Sequence, residues 1–363
     1  MFRRLSFSSR QAFKKIAVLV FSALLLASVF AAVPYIVAAI PEFTARDGDL
    51  LLGAGEAAPA FALSPGGVYP RGSETSAVSE PEILPDDIEQ PIPDPIPGEE
   101  GLPVFAKNLC WYDDPAEAAL NVINRTKYTV TLSKYAAEKF PLRGRITEDP
   151  LVLVVHTHGS ESYLQNGAEF YDAGETFRSP GDDSVTVVHI GDVLCERLEE
   201  LGIPVKHDRT MYDLKDFNKS YTYSREGIVK ALEENPSIKF VIDLHRDSIF
   251  NSSNENIKPL TEIEGIKTAQ LMIVVGTDEG GAVHPYWRRN LVVATHLQTA
   301  LNEFFPTLAR PINVRSGAFN QSLSDGSILV ECGSCGNTVE EAENAILRFA
   351  EAYAFMLKEE YDG

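Results

Sequence analysis

Basic residues are in short supply in this chain. Over 363 residues, 32 Lys and Arg stand against 52 Asp and Glu, a formal net charge of -20. Nucleic-acid phosphates demand a basic footprint, so this balance argues against a nucleic-acid partner. Cysteine is scarce too. Cys110, Cys195, Cys332 and Cys335 are too few for disulfides to be the main support of an extracytoplasmic fold of this length. Cys332 and Cys335 make one C-x-x-C, and the other two cysteines do not supply the second pair that a zinc ribbon needs. A local disulfide and a pair of free thiols both stay open. No internal repeat is visible.

Charge is missing altogether from Ile16 to Ile40, directly after Arg3, Arg4, Arg10, Lys14 and Lys15. About 20 apolar residues suffice to cross a ~30 Å hydrocarbon core. The expectation is a cytoplasmic basic segment at 1–15 and a transmembrane signal-anchor at 16–40, with the remainder outside the cell membrane. A cleaved signal peptide is the alternative, since Ala27, Ala31 and Ala32 suit a peptidase, but the apolar run is longer than a signal core. Residues 41–103 are rich in Pro and acid, as in Pro91-Ile92-Pro93-Asp94-Pro95-Ile96-Pro97. Such a segment buries too little apolar surface to fold, and it is expected to be an extended linker.

From 104 to 363, apolar runs alternate with helical spacing, which predicts an α/β domain with a mostly parallel sheet and helices on both faces. Leu151–Val155, Ile203–His207, Phe240–Leu244, Leu271–Val275 and Ser327–Val330 read as strands, and Tyr128–Leu132 as a further short one. Val187 to Leu201, Leu291 to Phe305 and the segment after Thr338 read as helices, and Ser224 as the cap of another.

Chemistry gathers where three of these strands end. The run Leu151–Val155 leads into His156-Thr157-His158-Gly159-Ser160-Glu161, where His158 and Glu161 have an H-x-x-E spacing. An imidazole and a carboxylate are both ordinary zinc ligands. Phe240–Leu244 leads into His245, a third ligand at the same end of the sheet. Glu331, after Ile328-Leu329-Val330, is placed for general acid–base work beside a metal-activated water. Asp247 is a candidate to orient a ligand histidine, and Arg246 to bind a substrate carboxylate through its planar fork. Strand alternation puts His156 on the same side as His158, so His156 is the alternative ligand. His189 and His207 read as structural or exposed.

Together, the stretches His156–Tyr163 and Ile242–Ser248 resemble the stage II sporulation protein P family. Ser220-Tyr221-Thr222-Tyr223-Ser224-Arg225, Phe319–Ser324 and Ile328–Gly333 followed by Asn337–Ala342 are similar as well. Cys332, after Glu331, departs from the apolar residue expected there. The resemblance covers about Val104 to the C-terminus. It implies a zinc-dependent N-acetylmuramoyl-L-alanine amidase fold and a membrane-anchored peptidoglycan hydrolase. The bond cut would be the amide between N-acetylmuramic acid and L-alanine, with peptide cross-links as a second target. It further implies work at the sporulation septum during engulfment, beside sporulation proteins D and M. The alternatives are a catalytically silent wall-binding scaffold and a zinc carboxypeptidase.

Overall fold

A computed structural model of the protein describes residues 101–363 apart from 113, 173–176 and 252–254. The expectations placed on 1–15, on 16–40 and on the linker up to residue 100 lie outside the described residues. Among the described residues, no helix is long and apolar enough to cross a membrane. Backbone pairing begins at Gly101, slightly ahead of the expected domain boundary at 104.

In chain order the described elements begin with β1 (Gly101–Lys107), β2 (Val122–Asn124), α1 (Leu132–Ala136), β3 (Val152–Val155) and β4 (Phe170–Asp172). Next come α2 (Val187–Glu200), β5 (Val205–His207), α3 (Ser220–Glu234) and β6 (Phe240–Asp247). The chain continues through β7 (Asn256–Ile263), β8 (Ile266–Ala269), β9 (Leu271–Gly276) and α4 (Trp287–Phe304). It finishes with β10 (Ile312–Arg315), β11 (Gly326–Ser334) and α5 (Val339–Met356).

Seven strands form the main sheet in the order β2-β10-β9-β11-β6-β3-β5. All neighbours are parallel except β9 and β11, which run antiparallel. The sheet is therefore two parallel blocks meeting at one reversed seam. The carboxyl ends of β3, β6 and β11 share an edge with the amino ends of β9 and β10. Beside it stands a four-stranded sheet, β4-β1-β7-β8, that the hydrophobic pattern did not announce.

Strand alternation divides the apolar residues cleanly. Val152, Val154, Ile242, Leu244, Ile273, Val275, Ile328 and Val330 point into one core with α2, α4 and α5. The spacing of Val187, Ile190, Leu194 and Leu198 puts one apolar stripe of α2 against it. Thr186 caps that helix by accepting from the Val188 N–H at 3.2 Å. At the start of α5, Thr338 and Glu341 form a reciprocal capping box.

The opposite face is covered unevenly. Leu153, Val155 and Val241 pack on Ile228 and Ala231 of α3. Beyond them, Met272, Val274 and Leu329 form a small cluster with Phe319, against which the partly buried Tyr221 packs. The expectation of helices on both faces is thus met over β3 and β6, and across β9, β10 and β11 an open cavity takes the helix's place.

Several local expectations shift. Tyr128–Leu132 is not a strand: Val122–Asn124 pairs with β10 instead, and Leu132 opens α1. Ser224 lies inside α3, buried, and does not cap it. His245 and Glu331 sit within their strands, since β6 and β11 run on to Asp247 and Ser334. Cys332 and Cys335 are both buried free thiols.

Candidate active site

The turn after β3 carries the first pair of chemical groups. Glu161 N–H donates to the His158 carbonyl at 3.1 Å, closing the turn. Ser160 N–H and hydroxyl both reach Asp213, and Arg178 donates to Ser160 Oγ at 2.8 Å while pairing with Asp213 at 3.3 Å. Gly159 is required by crowding: a Cβ there would stand 2.9 Å from the Met211 Cα. The turn is thereby fixed, and His158 swings over the sheet face that carries α3. Its ring stacks on Phe217 at 4.4 Å and meets the His245 ring edge-on at 5.3 Å.

His245 and Glu331 come from adjacent parallel strands and are direct Cα partners. His245 Nδ1 lies 3.4 Å from Glu161 Oε2, and its Nε2 lies 3.0 Å from Asp243 Oδ1, off the line of a full hydrogen bond. Asp243 is itself held by Thr157, whose N–H and hydroxyl donate at 2.9 and 2.6 Å. Burial disfavours charge on His245, but the two carboxylates override it and hold the ring's proton well above the ordinary range. Burial likewise pushes Glu161 upward, yet Arg246 and the two histidines draw it down to about 2. His158 moves the other way: burial takes it to about 4, so the ring is neutral at pH 7. Glu331 is pushed up to about 8, first by burial and then by Asp247, against the pull of His245 and Arg310.

These groups face one cavity of about 390 Å³, lined among others by His158, Glu161, His245 and Glu331. Among the described residues, no group of three His, Cys, Asp or Glu side chains stands already arranged around a metal ion. The donor set nonetheless fits zinc. His158 Nδ1 and Glu331 Oε2 are buried without a hydrogen-bond partner, an expense of about 1–3 kcal/mol each unless a ligand answers them. Tetrahedral ligands bound at 2.0–2.2 Å stand roughly 3.3–3.6 Å apart, which brackets the separation of His245 Nδ1 from Glu161 Oε2. The carboxylates that keep a proton on His245 would equally favour a divalent cation in its place.

Three expectations need correction. His156 does not share a side with His158. The strand ends at Val155, His156 keeps to the α2 face, and the turn beyond breaks the alternation at His158. There its Nδ1–H donates to the Leu244 carbonyl at 3.0 Å, and its Nε2 meets His207 Nε2 at 2.8 Å. Gly191 of α2 leaves the room for this pair, since a Cβ there would stand 2.6 Å from His156. Asp247 does not orient a histidine: it accepts from Arg310 Nη1 at 2.9 Å, and Asp243 takes the place beside His245. Arg246 is buried, and its fork is spent on the carbonyls of Ser162 and Phe177. It ties the Glu161 segment to β6 and is not offered to a substrate. Asp243 was discoverable: in a strand, D-x-H sets both side chains on one face. His189 contacts Glu343 at 2.7 Å, far from this chemistry in the fold.

The family model described as Stage II sporulation protein P matches residues 116–354. The stage II sporulation protein P of Bacillus subtilis (strain 168) is 27% identical over 232 residues, covering 61% of this chain and 54% of that protein. The chain therefore spans about half the length of the curated relative it matches. Among solved structures, the N-acetylmuramoyl-L-alanine amidase AmiC2 of Nostoc punctiforme is 15% identical, covers 58% of this chain and 96% of its own, and has a TM-score of 0.35. The CwlD amidase from Clostridioides difficile, in complex with the GerS lipoprotein, is 14% identical over 58% and 97%, with a TM-score of 0.35. The amidase Ami1 from Mycobacterium smegmatis is 13% identical over 60% and 98%, with a TM-score of 0.34. Likenesses at these scores add nothing to the topology described above.

Proposed function

The chain belongs to the stage II sporulation protein P family, and on that premise we propose that it is a zinc-dependent peptidoglycan hydrolase acting during spore formation. The bond cut is the amide between N-acetylmuramic acid and L-alanine, with peptide cross-links as a second target. The observation that carries this reading is the meeting of His158, Glu161, His245 and Glu331 in one cavity, with His245 Nδ1 3.4 Å from Glu161 Oε2.

In this reading His158, Glu161 and His245 hold the zinc. Bound there, zinc supplies Lewis acidity, making a water more acidic and polarising the scissile carbonyl. Asp243, braced by Thr157, fixes the His245 ring from its far nitrogen, as a carboxylate behind a ligand histidine does. Glu331 takes a proton from the attacking water as the new C–O bond forms. It then gives that proton to the amine nitrogen as the C–N bond breaks. Burial raises this carboxyl, and a divalent cation in the cavity would draw it back down, a balance that suits a group that must both take and give a proton. Phe217 and Tyr221 wall the cavity beside His158 and narrow the approach of bulk water.

The sequence further supports a single-pass anchor at 16–40 that holds the domain outside the cell membrane, facing the wall at the sporulation septum. Sporulation proteins D and M are the partners implied by the family. Digestion of purified sacculi, followed by identification of the new ends, tests the reaction. New L-alanine amino groups are expected. Release of terminal amino acids alone would favour a carboxypeptidase, and no new ends at all would leave a wall-binding scaffold.

A further inference from the structure

The cavity is cationic in a strongly acidic protein. Arg125, Arg178, Arg246, Arg310 and Arg315 line it against Glu161, Asp247 and Glu331, five positive groups facing three carboxyls. The chain as a whole carries -20. Arg178 and Arg246 are committed to the Ser160–Glu161 turn, as described above. The other three come from the reversed block of the sheet, at β2 and β10, and stand on the wall beyond Glu331.

Arg310 differs from its neighbours. It lies just before β10, only 4% exposed, with its N–H bonded to the Leu271 carbonyl at 2.7 Å. Its Nη1 holds Asp247 at 2.9 Å. Its Nε and Nη2 are buried with no hydrogen-bond partner. Those two nitrogens form the edge of the guanidinium whose parallel N–H groups match the two oxygens of a carboxylate. Leaving such a charged edge unanswered in a buried place is costly. Asn313, 5% exposed on the same wall, also has its side-chain Oδ1 buried without a partner. Its amide can present either oxygen or N–H₂ to a ligand. Met272, unbranched and adaptable, lines the same cavity.

We propose that Arg310, with Asn313, forms a subsite for a carboxylate of the substrate's peptide arm, on the β10 wall of the cavity next to Glu331. The inference rests on the hydrolase reading above and deepens it. A stem peptide carries free carboxylates beyond its first alanine, on the side of the bond that departs as amine. The arginine fork would fix that arm while Glu331 serves the departing nitrogen. Asp247 acts as the counter-charge that keeps Arg310 in place when the subsite is empty.

The test uses the full chain and two product-like probes, L-alanyl-D-glutamate and the same dipeptide with both glutamyl carboxyls amidated, measured by calorimetry. Wild type is expected to bind the acid about 10-fold or more tightly than the amide. Arg310→Gln should erase that preference, and Arg310→Lys should recover only part of it. Because Arg310 is buried, Asn313→Asp gives a second route: a carboxylate added to the wall should abolish the preference with the Arg310–Asp247 pair untouched. On muropeptides, Arg310→Gln should raise KM for the free-acid substrate more than for the amidated one, so that the ratio of the two KM values collapses toward one. Retained preference in both Arg310→Gln and Asn313→Asp would overturn the subsite. So would a wild type that releases L-alanine ends from sacculi yet binds both probes alike. A preference that depends on Arg310 without any cleavage of sacculi would sustain the subsite and sink the hydrolase reading instead.

Discussion

The two faces of the main sheet are built from the same strands, often from adjacent residues, and they differ in almost every physical respect. On the α2, α4 and α5 face, Ile242, Leu244, Ile328 and Val330 fill a closed apolar core. One residue along on the other face, Asp243, His245 and Glu331 line or brace an open cavity, with polar atoms left unanswered. Even the two histidines of H-T-H separate along this division. His156, on the packed side, has both ring nitrogens engaged, whereas His158 keeps a buried Nδ1 free. Stability and chemistry are thus segregated by strand alternation, and each can be attacked without the other.

The largest effect that sharpens this contrast is on turnover. Glu331→Gln keeps size and hydrogen bonding but cannot accept a proton, so hydrolysis of sacculi should fall by about 10²–10⁴-fold with zinc content nearly unchanged. A variant that lost its metal instead would move Glu331 among the ligands.

Across the sheet, Ile242→Ala should cost about 2–5 kcal/mol of stability in denaturant melts, from lost burial and the cavity left behind. Its zinc content below the melting transition should match wild type. Loss of zinc with little loss of stability would show that the two faces are not independent.

Asp243→Asn should weaken zinc by about 10–100-fold, the usual effect of removing the partner behind a ligand histidine. Competition with a chelating dye reads this directly. Unchanged affinity would leave Asp243 as a structural group that serves only Thr157.

The smallest effect is a slope with pH in protein stripped of metal. Glu331 and His245 both have folded values raised above their unfolded ones, about 8 against 4.5 for Glu331. For raised groups, stability is fully present below the unfolded value and is lost as pH rises through the folded one. His156 and His158, lowered to about 3 and 4, cost stability only as pH falls below 6.5. Between pH 6.5 and 8, Glu331 and His245 therefore act in the same direction, each contributing up to about 1.4 kcal/mol per pH unit. Glu331→Gln should remove roughly half of the decline seen in urea melts over that window. An unaltered slope would mean that Glu331 is already ionised there.

What could be read from residues alone follows the same division. Continuous apolar runs announced β3, β6, β9 and β11, because fully buried strands need no alternation to be recognised. The polar residues that follow those runs pointed to one edge of the sheet, where His158, Glu161, His245 and Glu331 do meet. The errors came where tertiary packing decides. His156 keeps to the face that Val152 and Val154 set, and it is His158 that departs from alternation, in the turn beyond Val155 pinned by Asp213 and Arg178. Arg246 looked available because nothing in D-L-H-R-D reveals the carbonyls of Ser162 and Phe177 waiting for it. The reversed seam between β9 and β11 has no local signature, and it is this seam that brings Arg310 and Asn313 to the cavity. The four-stranded sheet was missed for a related reason. β1 and β7 lie far apart in sequence, and β7 pairs with β8 through strands too polar for a clean pattern.

Zinc stoichiometry in His158→Ala and His156→Ala, measured side by side on folded full-length protein, tests the central claim most directly. His158→Ala should lose the metal, and His156→Ala should retain about one zinc per folded chain with a lower melting temperature. Zinc retained by His158→Ala and lost by His156→Ala would contradict the account, because it would place the metal on the packed face of the sheet.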